Sequence, residues 1–267
     1  MATGNFRMAS VVFALSVLAL SVSVPLQVNA QAAVDPAATQ LLKRMTDYLD
    51  SLKQFSVHTQ VTLEDLLASG QRIDIDVSAN VAVSRPSKLR AERKGELFEQ
   101  VFYYDGKTLT LYNRTDNVYG TEPAPATIEE MLRYASDSLG LIIPAADLVY
   151  HDAYPLLMEG VTSATVIGKT IIDGVTCNQL AFSRPDVDFQ VWVADGKQPL
   201  PCKYVVTDTS TPALISISTV MSDWNVAPAA ADASFNFVAP EGAMAISFLP
   251  LDATSSGPAA QESGASQ

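Results

Sequence analysis

Between residues 41 and 52 apolar side chains recur at spacings of three and four: Leu41, Leu42, Met45, Tyr48, Leu49 and Leu52. That period predicts a helix with one apolar stripe. Asp35 and Pro36 stand where an N-cap and a first-turn proline belong. From residue 55 the period drops to two. Phe55, Val57, Thr59, Val61 and Leu63 alternate with polar residues, and Ile73, Ile75, Val77, Ala79, Val81 and Val83 do so more cleanly. This is the pattern of antiparallel strands with one buried and one wet face.

Further strands are expected at 88–93, 97–104, 108–113 and 118–122, punctuated by Arg85-Pro86-Ser87, Gly95, Asp105-Gly106-Lys107 and Thr115-Asp116-Asn117. The connections are too short to cross over, so these six strands form a meander. Pro123 and Pro125 break the pattern, and Thr127 with Glu130 opens a helix reaching about Leu139. Residues 140–160 read as short helical turns and loop. A second run of strands follows at 163–172, 175–184, 187–194, 203–209 and 213–224, and residues 233–248 add a short terminal strand pair. A sheet of eleven or more strands curls toward a barrel rather than staying flat. The expected fold is mainly β with a few helices: an unclosed antiparallel barrel, with the N-terminal helix and the 127–160 segment as plug or lid.

The first 30 residues carry one positive charge at Arg7, an apolar run at 8–24, and Val28-Asn29-Ala30 before a cleavage point. These are the parts of a secretory signal peptide cleaved after Ala30, with no cysteine there to carry a lipid. One domain is expected over 31–250, and a disordered tail rich in Ala, Ser, Gly and Gln over 251–267. With Arg7 removed, 16 of the 17 basic side chains remain against 29 acidic ones, a net charge of -13. Nucleic acid is a poor partner for such a chain, since binding it requires clustered Lys and Arg. Only transient membrane contact and a monomeric state are expected.

Several runs in fixed order resemble a family of predicted periplasmic proteins of unknown function: Arg85-Pro86-Ser87-Lys88-Leu89-Arg90, the stretch from Phe102-Tyr103-Tyr104-Asp105-Gly106-Lys107 to Leu109, Ala124-Pro125-Ala126-Thr127-Ile128, Ala146-Asp147-Leu148, Gly174-Val175-Thr176-Cys177, and Val191-Trp192-Val193 through Pro199-Leu200-Pro201. The likeness spans roughly residues 36–248. That family is grouped with the LolA/LolB-like lipoprotein carriers. The resemblance implies an eleven-stranded unclosed barrel with a helical lid over an apolar cavity, and it brings no catalytic residues with it.

Chemistry is sparse. His58 and His151 are the only histidines, and no metal-ligand, nucleophile-elbow or phosphate-loop pattern occurs. No cofactor, metal or catalytic residue is therefore expected. Asp147, Tyr150, His151, Asp152 and Tyr154 form a polar and aromatic cluster that reads as solvated loop, and His58 falls on the wet phase of its strand. Cys177 and Cys202 are an even pair, which an oxidising compartment favours as a disulfide. A plain meander would hold them about 10 Å apart, beyond bridging distance, unless Cys202 leaves the sheet in a loop bracketed by Pro199 and Pro201. The pairing stays open on sequence alone. Phe98, Phe102, Tyr104, Leu109, Leu111, Phe182 and Trp192 are the candidates to line a cavity, with Met131, Leu132, Ala135 and Leu139 of the lid closing it. The expected role is a non-catalytic carrier of an acyl chain, lipid or lipidated protein. The alternative is an envelope sensor or protein-interaction module with a closed core and a periplasmic protein partner.

Overall fold

A computed structural model describes residues 34–228 and 234–248. The signal peptide and tail expected from the sequence lie outside the described residues. Two antiparallel meanders share one sheet. The first is β1 (Gln54–Leu66), β2 (Arg72–Ser84), β3 (Lys88–Gly95), β4 (Glu99–Tyr104), β5 (Thr108–Asn113) and β6 (Val118–Pro123). The second is β7 (Ser163–Ile172), β8 (Val175–Arg184), β9 (Val187–Ala194), β10 (Pro201–Asp208) and β11 (Ser216–Asn225). Their seam is β1 against β11, where Val61 faces Thr219 and Leu63 faces Ile217. At the seam's end Glu64 accepts the backbone N–H of Ser216 at 2.9 Å across a sequence separation of 152 residues.

A twelfth strand, β12 (Met244–Ala245), runs parallel to β6. The order is β12-β6-β5-β4-β3-β2-β1-β11-β10-β9-β8-β7, and the two ends do not pair, so the barrel is unclosed. All eleven strands of the alternation are present. The terminal strand pair expected from 233–248 is instead this one short strand, because its donors find acceptors on the bare edge of β6: Met244 N–H reaches Asn117 O at 3.0 Å and Ile246 N–H reaches Tyr119 O at 2.8 Å. The segment wraps that edge. Phe237 packs on one face against Tyr103, Tyr112 and Tyr119, at centroid distances of 5.4, 5.7 and 4.9 Å. Phe248 lies on the other face over Gly120, where a Cβ would come within 2.8 Å of its ring.

Alternation gives the sheet an inner face carrying Phe55, Val83, Leu89, Phe102, Leu180, Phe189 and Val191 in one continuous core. Helix α1 (Pro36–Ser51) covers the β7–β9 part of it. The Asp35 carboxylate caps this helix by accepting Ala37 N–H at 2.8 Å, and Ala38, Leu42, Met45 and Leu49 are buried. Helix α2 (Ile128–Asp137) starts where Thr127 Oγ1 accepts Glu130 N–H, and it buries Ile128, Met131, Leu132 and Ala135. Tyr104 Oη donates to Pro125 O at 2.6 Å and Ile128 N–H to Pro86 O at 3.0 Å, which pin its start to the sheet. A 3-10 turn at Ala146–Val149 and helix α3 (Ala153–Met158) complete the cover with Leu148, Ala153 and Leu157. Each fully buried side chain of this size stabilises the fold by about 1.5–3 kcal/mol. Among the described residues no helix is long and apolar enough to cross a membrane.

The cysteine pair is bridged. Strand β9 lies between Cys177 on β8 and Cys202 on β10, and a bulge overcomes the separation. Pro201 pairs with Val193 and Lys203 with Trp192, leaving Cys202 as the extra residue. Cys202 thus turns to the outer face beside Trp192 and Cys177, with the two Cα atoms 6.8 Å apart. The sequence allowed a bridge only if Cys202 stood in a loop, whereas it stands inside β10. The bond closes a sequence separation of 25 residues, worth about 3 kcal/mol in the chain-entropy account. Replacing both cysteines by serine is expected to lower the urea unfolding free energy by about 3 kcal/mol while the strand signal in circular dichroism is kept.

Candidate functional site

The candidates chosen from the sequence scatter over four places. Phe102, Tyr104, Leu109, Met131, Leu132 and Phe182 are all buried in one continuous core, Phe182 on β8 stacked against Phe189, with Ala135 in the same core and Leu139 against its edge. Tyr104 is fully buried there, which pushes its hydroxyl up to about 12. Leu111 sits further along the inner face, in a separate hollow of about 150 Å3 under Phe248. Phe98 lies in the turn before β4, flat over Gly95, and receives the guanidinium of Arg93 at 5.3 Å. Trp192 is on the opposite, outer face, against the disulfide and under the Lys203 ammonium at 5.2 Å.

The space left on the inner face lies elsewhere. A cavity of about 290 Å3 is bounded by Leu132 and Ser136 of α2, by the connection from Ile142 to Asp147, by Tyr150, and by Tyr204, Val206 and Ile217 of β10 and β11. The start of α2 is held at Pro86, and the non-helical residues 138–145 that follow it reach Arg93 of β3 through the Ile142 carbonyl. The cavity is least covered there. Ile142 is 61% exposed and Ile75, in line with Leu63 and Ile217 on the inner face, is 42% exposed. Two signals were available for these residues: Leu141-Ile142-Ile143 is an apolar run of three bracketed by Gly140 and Pro144, and Tyr204 and Val206 share one strand phase.

Asp147 is not solvated loop. The 3-10 turn aims it inward, where it accepts the Tyr204 hydroxyl at 2.6 Å. Burial pushes its carboxyl above the usual range, against the lowering effect of that hydrogen bond and of nearby Arg184. Burial and the adjacent carboxylate push the Tyr204 hydroxyl well above its ordinary value. Arg184 stacks over Phe189 at 5.5 Å. Arg93, on the inner phase of β3, donates from Nη1 to Ile142 O at 3.5 Å, and burial lowers its pKa.

The remaining polar residues have structural partners. His151 Nδ1 meets Asp50 at 2.6 Å and its backbone N–H donates to Glu129, tying the start of α3 to α1 and α2. His58 is half-buried on the outer face, 2.9 Å from Asn80, rather than freely exposed. It borders an outer hollow of about 390 Å3 with Lys88, Arg90, Glu92 and Phe235. Among the described residues no three His, Cys, Asp or Glu side chains are grouped to hold a metal ion.

A family model described as "Predicted periplasmic protein (DUF2092)" matches residues 38–249. The chain belongs to this family. No curated protein matches the sequence. Among solved structures, the lipoprotein LppX of Mycobacterium tuberculosis is 16% identical, with 72% of this chain and 96% of that one covered and a TM-score of 0.38. LprF of Mycobacterium bovis is 15% identical over 79% and 99%, TM-score 0.42. A LolA-superfamily protein of Nitrosomonas europaea is 10% identical over 72% and 94%, TM-score 0.35. At these scores the likenesses carry no functional argument for this DUF2092 chain.

Asp147 makes the site measurable. In the unfolded chain its carboxyl ionises near 3.8, and in the fold it ionises at higher pH. Between those values the folded state keeps a proton that the unfolded state has lost, so this residue's contribution to stability falls as pH rises above about 4. Asp147→Asn keeps an acceptor for Tyr204 and removes the buried charge. Its melting temperature is expected to lack that decline and to equal or exceed the parent's at pH 7; a parallel decline in scans from pH 4 to 7 would contradict this.

Proposed function

We propose that this periplasmic-family protein is a non-catalytic carrier or binding protein that holds one hydrophobic chain, from an acyl group, a lipid or a lipidated protein, in the cavity beneath residues 138–147. The observation that carries the reading is the larger of two unfilled hollows on the inner face. Its walls include Leu132, Ile143, Val206 and Ile217, and another of its lining residues, Ile142, remains exposed. Ligand sites are typically concave, mainly apolar and marked by few polar groups. Here the polar groups are Ser136, Asp147, Tyr150 and Tyr204, of which Asp147 and Tyr204 satisfy each other.

A second reading, a protein-interaction module, is favoured by one feature: Ile167, Ile171 and Val175 are exposed along the β7–β8 hairpin at the sheet's free edge. Uptake of the neutral fluorophore N-phenyl-1-naphthylamine by purified protein separates the two. The carrier reading expects saturable enhancement, reduced at least tenfold in affinity by Val206→Glu and left unchanged by Ile171→Glu. No uptake by the folded parent, or uptake insensitive to Val206→Glu, would leave the module reading in its place.

A further inference from the structure

Arg93 is placed differently from the chain's paired arginines. Arg72, Arg85, Arg90 and Arg114 each meet a carboxylate within ion-pair distance. Arg93 meets none among the described residues. It projects from the inner face of β3, in phase with Leu89 and Ala91, opposite Ala79 and Gln100. Its one hydrogen bond, to Ile142 O, is at the 3.5 Å limit, and its Nε is buried without an acceptor. Burial lowers its pKa with no acid nearby to oppose the shift, yet a guanidinium stays protonated at any physiological pH. Charges withdrawn from water are normally paired, because desolvation costs more than most single contacts return.

Its position gives the missing partner a shape. Ile142, whose carbonyl Arg93 reaches, is itself an exposed wall of the cavity. Phe98 backs the guanidinium on one side, and Gly95 lets that ring lie close, since a Cβ there would stand 2.9 Å from it. The cation is therefore held at the rim of an apolar hollow with N–H groups to spare. A guanidinium fork matches carboxylate and phosphate oxygens better than it matches a neutral hydroxyl. Arg184, the other inner-face arginine without an ion pair, already has the Asp147 carboxyl as its electrostatic neighbour.

We propose that Arg93 receives the anionic head group, carboxylate or phosphate, of an amphiphile whose chain occupies the cavity. The proposal rests on the carrier reading and names its ligand class. The test uses full-length mature protein and three probes of equal chain length below their micelle concentrations: palmitoleate, palmitoleyl alcohol and palmitoleyl phosphate, titrated calorimetrically into the parent and into Arg93→Gln. The parent is expected to bind one or both anions at least tenfold more tightly than the alcohol, and which anion leads identifies the head group. In Arg93→Gln the anions should fall to the alcohol's affinity while alcohol binding stays unchanged. Equal affinity of the parent for all three probes overturns the proposal and leaves the carrier reading intact. Loss of alcohol binding along with anion binding in the variant also overturns it, since Arg93 would then only support the fold. Failure of the parent to bind any probe overturns the carrier reading and this proposal together.

Discussion

Everything in this protein follows from the need to hide one broad apolar surface. Eleven strands in a single alternating phase produce an inner face far larger than one helix can shield, and water cannot be left in contact with it. The sheet's unpaired ends show that pairing alone does not enclose this face. Helices α1, α2 and α3 do, each with a stripe of buried residues, and their order along the chain fixes which part each one covers. Helix α1 lies over the second meander, and α2 is tied at its start to the turns of the first. The cover thins beyond Asp137, and the hollow under Ile142 is the result.

The same constraint explains how the polar groups are distributed. Polar groups that enter the interior find partners there: the Asp147 carboxyl accepts the Tyr204 hydroxyl, and the Tyr104 hydroxyl donates to Pro125 O. The disulfide, by contrast, sits on the outer face, where a bulge spends one residue of β10 to align it. Its neighbour Trp192 is a large apolar residue with no access to the interior. The outer face therefore has a small apolar cluster of its own, held by a covalent bond rather than by helices.

Much of the fold was legible because period and punctuation agree. The strand phases of 55–63 and 73–83, the Asp35-Pro36 helix start and the Thr127 cap all predicted elements that form. The site was less legible, for reasons specific to each residue. Val191, Trp192 and Val193 are all apolar, so no phase could be read and the tryptophan was placed inside when it lies outside. Asp147 sits in a stretch with no period at all, and only the turn that precedes α3 aims it inward. Cys202 depends on a bulge, which has no reliable signature in one sequence. Phe102, Tyr104 and Leu109 are buried on the inner face, and how closely a helix seats over such residues depends on packing rather than pattern.

The seam between β1 and β11 sets the tempo at which this molecule is made. Hairpins within each meander join neighbours in sequence and can zip early, but Glu64 meets Ser216 only after a loop of 152 residues has closed. A chain in which that seam is not yet paired leaves strand edges bare at β1 and β11 and the apolar inner face uncovered. Such an intermediate is the kind that sticks to its own copies. The seam thus joins the most distant parts of the chain, and closing it is what removes the bare edges between the two meanders.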